Sequence, residues 1–241
     1  MIGLGTIINT IAILIGGVAG TLFGKMLKEK HQEALTMVCG ISVLFIGIAG
    51  AMEVMMKVDG LGLVSSRGMF IVICLALGAL VGEIIDIEEG LNSFGKWLKI
   101  KSGNSEDSTF INSFLTASFT VCIGAMAIVG SIQDGLKGDY SILSTKAILD
   151  FIVIMVMTSS LGKGAMFSAI PVFILQGSVT VLARFIQPIM IPGAMNNISL
   201  VGSVMIFCVG LNLVWGKKVR VANMLPAIVF AVILAFIPIN L

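Results

Sequence analysis

The chain has 241 residues, 57% hydrophobic and only 12% charged, with a mean hydropathy of +1.09. A soluble domain carries about 25% charged residues, so this chain lacks the polar groups to cover a globular surface in water and must be solvated by lipid. A net charge of +2 gives no support for nucleic-acid binding, and the one histidine, His31, cannot alone build a His-based metal site or a Ser-His-Asp triad.

A hydrocarbon core about 30 Å thick needs roughly 20 apolar residues per helix. Eight segments qualify: 2–24, 34–55, 69–87, 110–132, 145–162, 164–186, 198–216 and 221–240. The start, Met1-Ile-Gly-Leu-Gly-Thr6, has no positive charge, so the first run is expected to be a retained helix and not a cleaved signal. Gly16, Gly20 and Gly24 form a small-residue stripe on it, and Gly78 and Gly82 repeat the spacing in the third segment; such stripes let helices approach closely. Glu83 and Asp86, spaced i, i+3, are expected on one helix face. Residues 88–101 alternate apolar and charged positions, a pattern for an amphipathic helix on the membrane surface. Residues 102–109 are a polar linker, and Gly162-Lys163-Gly164 either separates two spans or joins two half-helices. The expected organisation is a first unit at 1–101 (helices 1–3 and the surface helix), the linker 102–109, helices 4–5 at 110–162, and a second unit at 163–241 (helices 6–8). Cys39, Cys74, Cys122 and Cys208 lie in apolar runs and read as packing residues.

Lys and Arg placement sets orientation. With the N-terminus outside, the inside loops hold Lys25, Lys28, Lys30, Lys96, Lys99, Lys101, Lys163, Lys217, Lys218 and Arg220, ten of the 15 basic residues. An even helix count with both termini outside is therefore expected. Cys122-Ile-Gly-Ala-Met-Ala-Ile-Val-Gly-Ser131 in the fourth segment is echoed by Cys208-Val-Gly-Leu-Asn-Leu-Val-Trp-Gly216 in the seventh. Cys122 to Cys208, Gly124 to Gly210 and Gly130 to Gly216 each differ by 86 positions. The two segments run in opposite senses, as in the inverted repeats that secondary transporters build around a midplane site. The expected fold class is an all-α membrane protein, a bundle of about eight transmembrane helices with an inverted internal repeat, and the expected site lies between helices 4 and 7.

A charged side chain near the middle of a span costs about 2.5–3.5 kcal/mol on insertion scales. Asp150, with Lys146 at i−4, is either half of an ion pair or a carboxylate that couples transport to a proton or cation. Asn9, Gln176, Asn212 and Asn223 are amides in apolar surroundings, each suited to an interhelical hydrogen bond or to a ligand. Ser131 and Asp134 close the fourth segment, and Gly124 and Gly130 would let backbone approach a solute. These nine residues are the candidate substrate- or ion-binding set. No catalytic residue, metal ligand or cofactor is assigned, because the chain has no G-x-x-x-x-G-K-[ST], H-E-x-x-H or G-x-S-x-G pattern.

Over almost its whole length the chain carries a set of motifs: Gly5-Thr-Ile-Ile-Asn9, Ile15-Gly-Gly17, Gly82-Glu83-Ile-Ile-Asp86-Ile-Glu88, Gly124-Ala-Met-Ala-Ile-Val-Gly-Ser131, Asp134-Gly135, Lys146 with Leu149-Asp150, Pro171 with Gln176-Gly177, Gly210-Leu-Asn212-Leu and Arg220-Val-Ala-Asn223-Met-Leu-Pro226. In these it resembles the bacterial integral membrane proteins grouped as domain of unknown function 554. The resemblance implies a multi-pass protein of the bacterial inner membrane, of a kind described as a candidate transporter. It brings no substrate, cofactor or catalytic residue.

The function expected is secondary transport of a small solute or ion, ion-coupled or facilitative, without enzymatic activity. The alternatives are a small ion channel and a scaffold or accessory subunit whose glycine stripes bind partner helices. The expected partners are the lipid bilayer and a small solute or cation, with a homo-oligomer compatible with the stripes and no nucleic acid.

Overall fold

The computed structural model describes residues 2–60, 62–122 and 125–237. Helix α1 (Leu4–Met26) and helix α2 (Glu29–Met55) lead into a hairpin of β1 (Met56–Asp59) and β2 (Gly62–Ser65). Helices α3 (Gly68–Ile85) and α4 (Ile87–Lys101) follow, then α5 (Phe110–Cys122) and α6 (Ala125–Lys137), a pair bent by 61°. Next come α7 (Ser141–Leu161), a 3-10 turn (Lys163–Ser168), α8 (Ala169–Val181) and the short α9 (Ala183–Ile186). Helix α10 (Pro192–Trp215), a second 3-10 turn (Val221–Met224) and α11 (Pro226–Leu234) complete the chain.

Among the described residues, six helical stretches are long and apolar enough to cross a bilayer, and the bent pair α5–α6 makes a seventh. The protein is a helical membrane bundle. Its outside is covered by exposed apolar side chains such as Ile11, Leu22, Phe45, Ile84, Phe173 and Val181, as lipid solvation requires. Among the described residues the count of eight is not reached by length: of the eighth predicted segment, 221–240, they form the apolar run Val221–Leu234, and residues 238–240 lie outside them. There Pro226 occupies the first position of α11, where its missing N–H removes no helical bond. The carbonyl of Ala222, one turn before Pro226, accepts the Leu225 N–H at 3.1 Å.

Glycine brings the long helices together. Gly16, Gly20 and Gly24 of α1 lie against Phe151, Met155 and Ser159 of α7, so these two helices run side by side in the same direction. Gly40 and Gly47 of α2 meet Leu213–Val214 and Ser203–Phe207 of α10 in the opposite sense. Gly78 and Gly82 of α3 meet Ala227 and Asn223. The stripes thus set backbone against backbone. Ile13, Ile154, Met157, Val172, Leu200 and Met205 fill the core between these pairs. Partners of the first and last parts of the chain therefore interleave: α1 with α7, and α2 with α10.

Two features depart from the sequence reading. The single span predicted over 110–132 is described as two helices, Phe110–Cys122 and Ala125–Lys137, set at 61° to each other, with residues 123–124 between them outside the described residues. The 86-position register is not reproduced either. Gly130 lies inside α6 against Leu143, whereas Gly216, at φ 76, ends α10. A different unit recurs instead: α7, Gly162, 3-10 turn and α8 match α10, Gly216, 3-10 turn and α11. Gly162 (φ 114, ψ 172) and Gly216 (φ 76, ψ 175) share a conformation open to glycine, and Pro171 and Pro226 stand in the first turns of the second helices. Gly162 thus separates two spans.

Candidate functional site

Helices α5 and α6 are set at an angle of 61°, and Lys146 of α7 reaches the last turn of α5: its Nζ donates to Val121 O at 2.8 Å and to Asp150 Oδ2 at 2.5 Å. The Lys146 and Asp150 side chains are only 9% and 7% exposed. One buried ammonium therefore serves a carboxylate a turn along its own helix and a carbonyl in the last turn of α5. Asn9 of α1 donates from Nδ2 to the same Asp150 oxygen at 3.0 Å and to Gln176 Oε1 of α8 at 3.3 Å. Asn9 Oδ1 and Gln176 Nε2 are buried with no partner among the described residues. Three predicted site residues, Asn9, Asp150 and Gln176, thus meet in one network closed by Lys146.

A cavity of about 400 Å³ lies beside the pair. Thr120 and Val121 line it just before the bend and Met126 and Ala127 just after, with Lys146 and Asp150 on α7, Ser199 and Ile206 on α10, and Glu53 on α2. A second cavity of about 280 Å³ lies farther along the same α5–α10 seam, lined by Thr116, Phe119, Val209, Asn212, Glu88 and Lys217 among others. The two linings adjoin at Phe119–Thr120 on α5 and at Ile206–Val209 on α10. Three residues of helix rise separate them on α10, about 5 Å.

The other predicted residues fall elsewhere. Asp134 of α6 accepts the N–H groups of Gly3 (3.1 Å) and Gly5 (3.0 Å), closing the N-terminus of α1. Ser131 is fully buried with no partner among the described residues, and Gly130 makes room for Leu143. Gly124 lies outside the described residues. Asn212 pins the turn after α10: its Oδ1 accepts from Lys218 N and Val219 N, and its Nδ2 donates to Val219 O at 2.7 Å. Asn223 accepts the Glu88 N–H at 2.8 Å, fixing α4 to the second 3-10 turn. Asn212 and Asn223 therefore lie toward one end of the bundle, apart from the network of Asn9, Asp150 and Gln176.

At the Asn223 end lies a charge cluster absent from the predicted set. Arg220 bridges Glu83 at 2.5 Å and Asp86 at 2.6 Å, and Lys217 pairs with the buried Glu88. Desolvation works against the Arg220 charge, but Asp86, Glu83 and Glu88 hold its guanidinium above the ordinary range. Glu83 and Asp86 do not share a helix face, because α3 ends at Ile85 and Asp86 turns the chain at φ 52. They share Arg220 instead. The available signal was the acidic run 83–89 and the basic run 217–220 falling on the same predicted side of the membrane.

A family model described as protein of unknown function (DUF554) matches residues 4–236. The chain is 29% identical over 234 residues to the uncharacterized membrane protein YdfK of Bacillus subtilis (strain 168), covering 97% of this chain and 96% of that one. It is 31% identical over 232 residues to the uncharacterized protein YqgA of Escherichia coli (strain K12), covering 95% and 94%. No solved structure matches it. With the match running from the first turn of α1 to beyond the end of α11, the chain belongs to the DUF554 family of membrane proteins of unknown function.

Proposed function

We propose that the protein is a secondary transporter of the bacterial inner membrane that carries a small solute or ion along the α5–α10 seam. The observation that supports this most is the pair of cavities whose linings adjoin along α5 and α10, beside the bent pair α5–α6. Irregular backbone and ionisable side chains persist at membrane depth where they line a solute path, because half-helix ends and charges there replace water. In this reading the cavities are the two vestibules. Movement of α5–α6 against α10 shifts the divide from one to the other. Asp150 is the coupling carboxylate and Lys146 its resident counter-charge, and no covalent step is involved. The divide between the cavities favours a carrier over an open channel.

The test is uptake of pooled labelled solutes into proteoliposomes under imposed proton and sodium gradients. Saturable, gradient-dependent uptake is expected, reduced roughly tenfold or more in Asp150→Asn, the scale of a lost interaction of about 1.4 kcal/mol. Unitary conductance steps in planar bilayers would replace the carrier with a channel.

A further inference from the structure

We infer that the cavity beside Lys146 selects primary ammonium solutes, because Lys146 occupies it as a tethered copy of one. The use of the site rests on the transport reading; its chemistry does not. Among the described lining residues the charged ones are Lys146, Asp150 and Glu53, two carboxylates against one ammonium, which leaves room for one further positive charge. An anion would meet both carboxylates, and the single ammonium it could pair with is already committed to Asp150.

Hydrogen bonding agrees. The Thr120 hydroxyl gives its proton to Thr116 O at 2.8 Å, which leaves its oxygen to accept. The two carboxylates and the Val121 carbonyl are acceptors as well, the Ser199 hydroxyl can accept or donate, and among the described lining residues the one charged donor is Lys146. An acceptor-rich wall fits a donor-rich ligand. The position of that ligand is already marked, since the lysine ammonium lies between Val121 O at 2.8 Å and Asp150 Oδ2 at 2.5 Å.

Lys146 hangs on a flexible four-carbon stem, and exposed Glu53 in the same cavity is a second carboxylate to receive it. An incoming R–NH3+ takes the place between Val121 O and Asp150, Lys146 withdraws toward Glu53, and each ammonium keeps one carboxylate. The apolar Met126, Val153 and Ile206 are left for R. A volume of about 400 Å³ far exceeds the share of one water or bare ion, about 30 Å³ in the liquid, and suits an organic cation of several carbons.

The experiment is titration of the wild-type protein in nanodiscs at neutral pH with n-butylammonium chloride, the free equivalent of a lysine side chain. Sodium butyrate and sodium chloride at matched ionic strength are the controls. Binding heat and the thermal-unfolding midpoint are the readouts. Saturable binding of n-butylammonium alone is expected, weakened severalfold in Glu53→Gln, where the displaced Lys146 has no second carboxylate. In Lys146→Ala it becomes roughly tenfold tighter, since the tethered competitor is gone. Saturable butyrate binding, or no n-butylammonium binding by the wild-type protein, overturns the inference. The wild-type titration decides alone if Lys146→Ala does not fold. Binding without saturable uptake into proteoliposomes would remove the carrier reading and leave the ammonium site standing.

Discussion

Lys146 is held by two acceptors of different origin, and each makes a separate demand on stability. Lys146→Met removes the cation beside the buried Asp150 carboxylate and leaves it only the Asn9 amide donor among the described residues, so a loss of about 3–5 kcal/mol in unfolding free energy is expected. Adding Asp150→Leu should recover most of it, because no buried charge is then left unpaired. Denaturation in mild detergent reads both, and an undiminished loss in the double variant would show the two residues to be uncoupled. Asp134→Ala should cost about 0.5–2 kcal/mol by uncapping the Gly3 and Gly5 N–H groups, and limited proteolysis near residue 5 would register it. The pair Lys146–Asp150 is legible in the sequence, since i, i+4 spacing in an apolar run leaves each charge few other partners. The Val121 carbonyl is not legible as a partner: it lies 25 positions from Lys146, beside a bend between α5 and α6 that no proline marks. Asn9 and Gln176 are recognisable as costly amides, but the hydrogen bond between them joins residues 167 positions apart.

The helices depend on close backbone contact. Gly16→Ala places a methyl carbon 2.5 Å from the Phe151 carbonyl oxygen, and the overpacking should cost about 1–3 kcal/mol. Gly177→Ala meets nothing within 4 Å and should be neutral or stabilising by up to about 1 kcal/mol through helix propensity. Thermal midpoints of the two variants, which differ from wild type by one methyl each, separate packing from propensity; equal midpoints would discard the glycine interface. Small-residue spacing tells which face of α1 is close-packed but carries nothing about α7 as the partner. The hairpin had a short-range signal in Asp59-Gly60, between Val58 and Leu63-Val64. It is hidden because a hydropathy window long enough for a span averages over it. The same averaging merges the 3-10 turn at Val221–Met224 with α11, and α5 with α6.

Across the whole molecule, one end gathers the β-hairpin, the α6–α7 junction and α9. The other gathers the α1–α2 turn, α4, residues 102–109 and the turn at 217–220. Single cysteines replacing Lys57, Asp139 and Arg184 should therefore react with an impermeant maleimide from one face of oriented vesicles, and those replacing His31, Asn104 and Lys218 from the other; a mixed pattern would sink this topology. Lipid solvation and the basic residues of one side are legible from composition. The separation of Asn212 and Asn223 from Asn9 and Asp150 is not, because depth within a span cannot be read until the helix ends are known. The pairing of α1 with α7 also bears on how the protein is made. Phe151 follows Gly16 by 135 positions, and Phe207 follows Gly47 by 160. At roughly 5–20 residues per second, α1 and α2 wait on the order of ten seconds for their partners to leave the ribosome. Both are apolar enough to be held in lipid as independent helices during that interval, so the glycine-lined faces are exposed to the bilayer early in synthesis and are sealed only after the second half of the chain has been inserted.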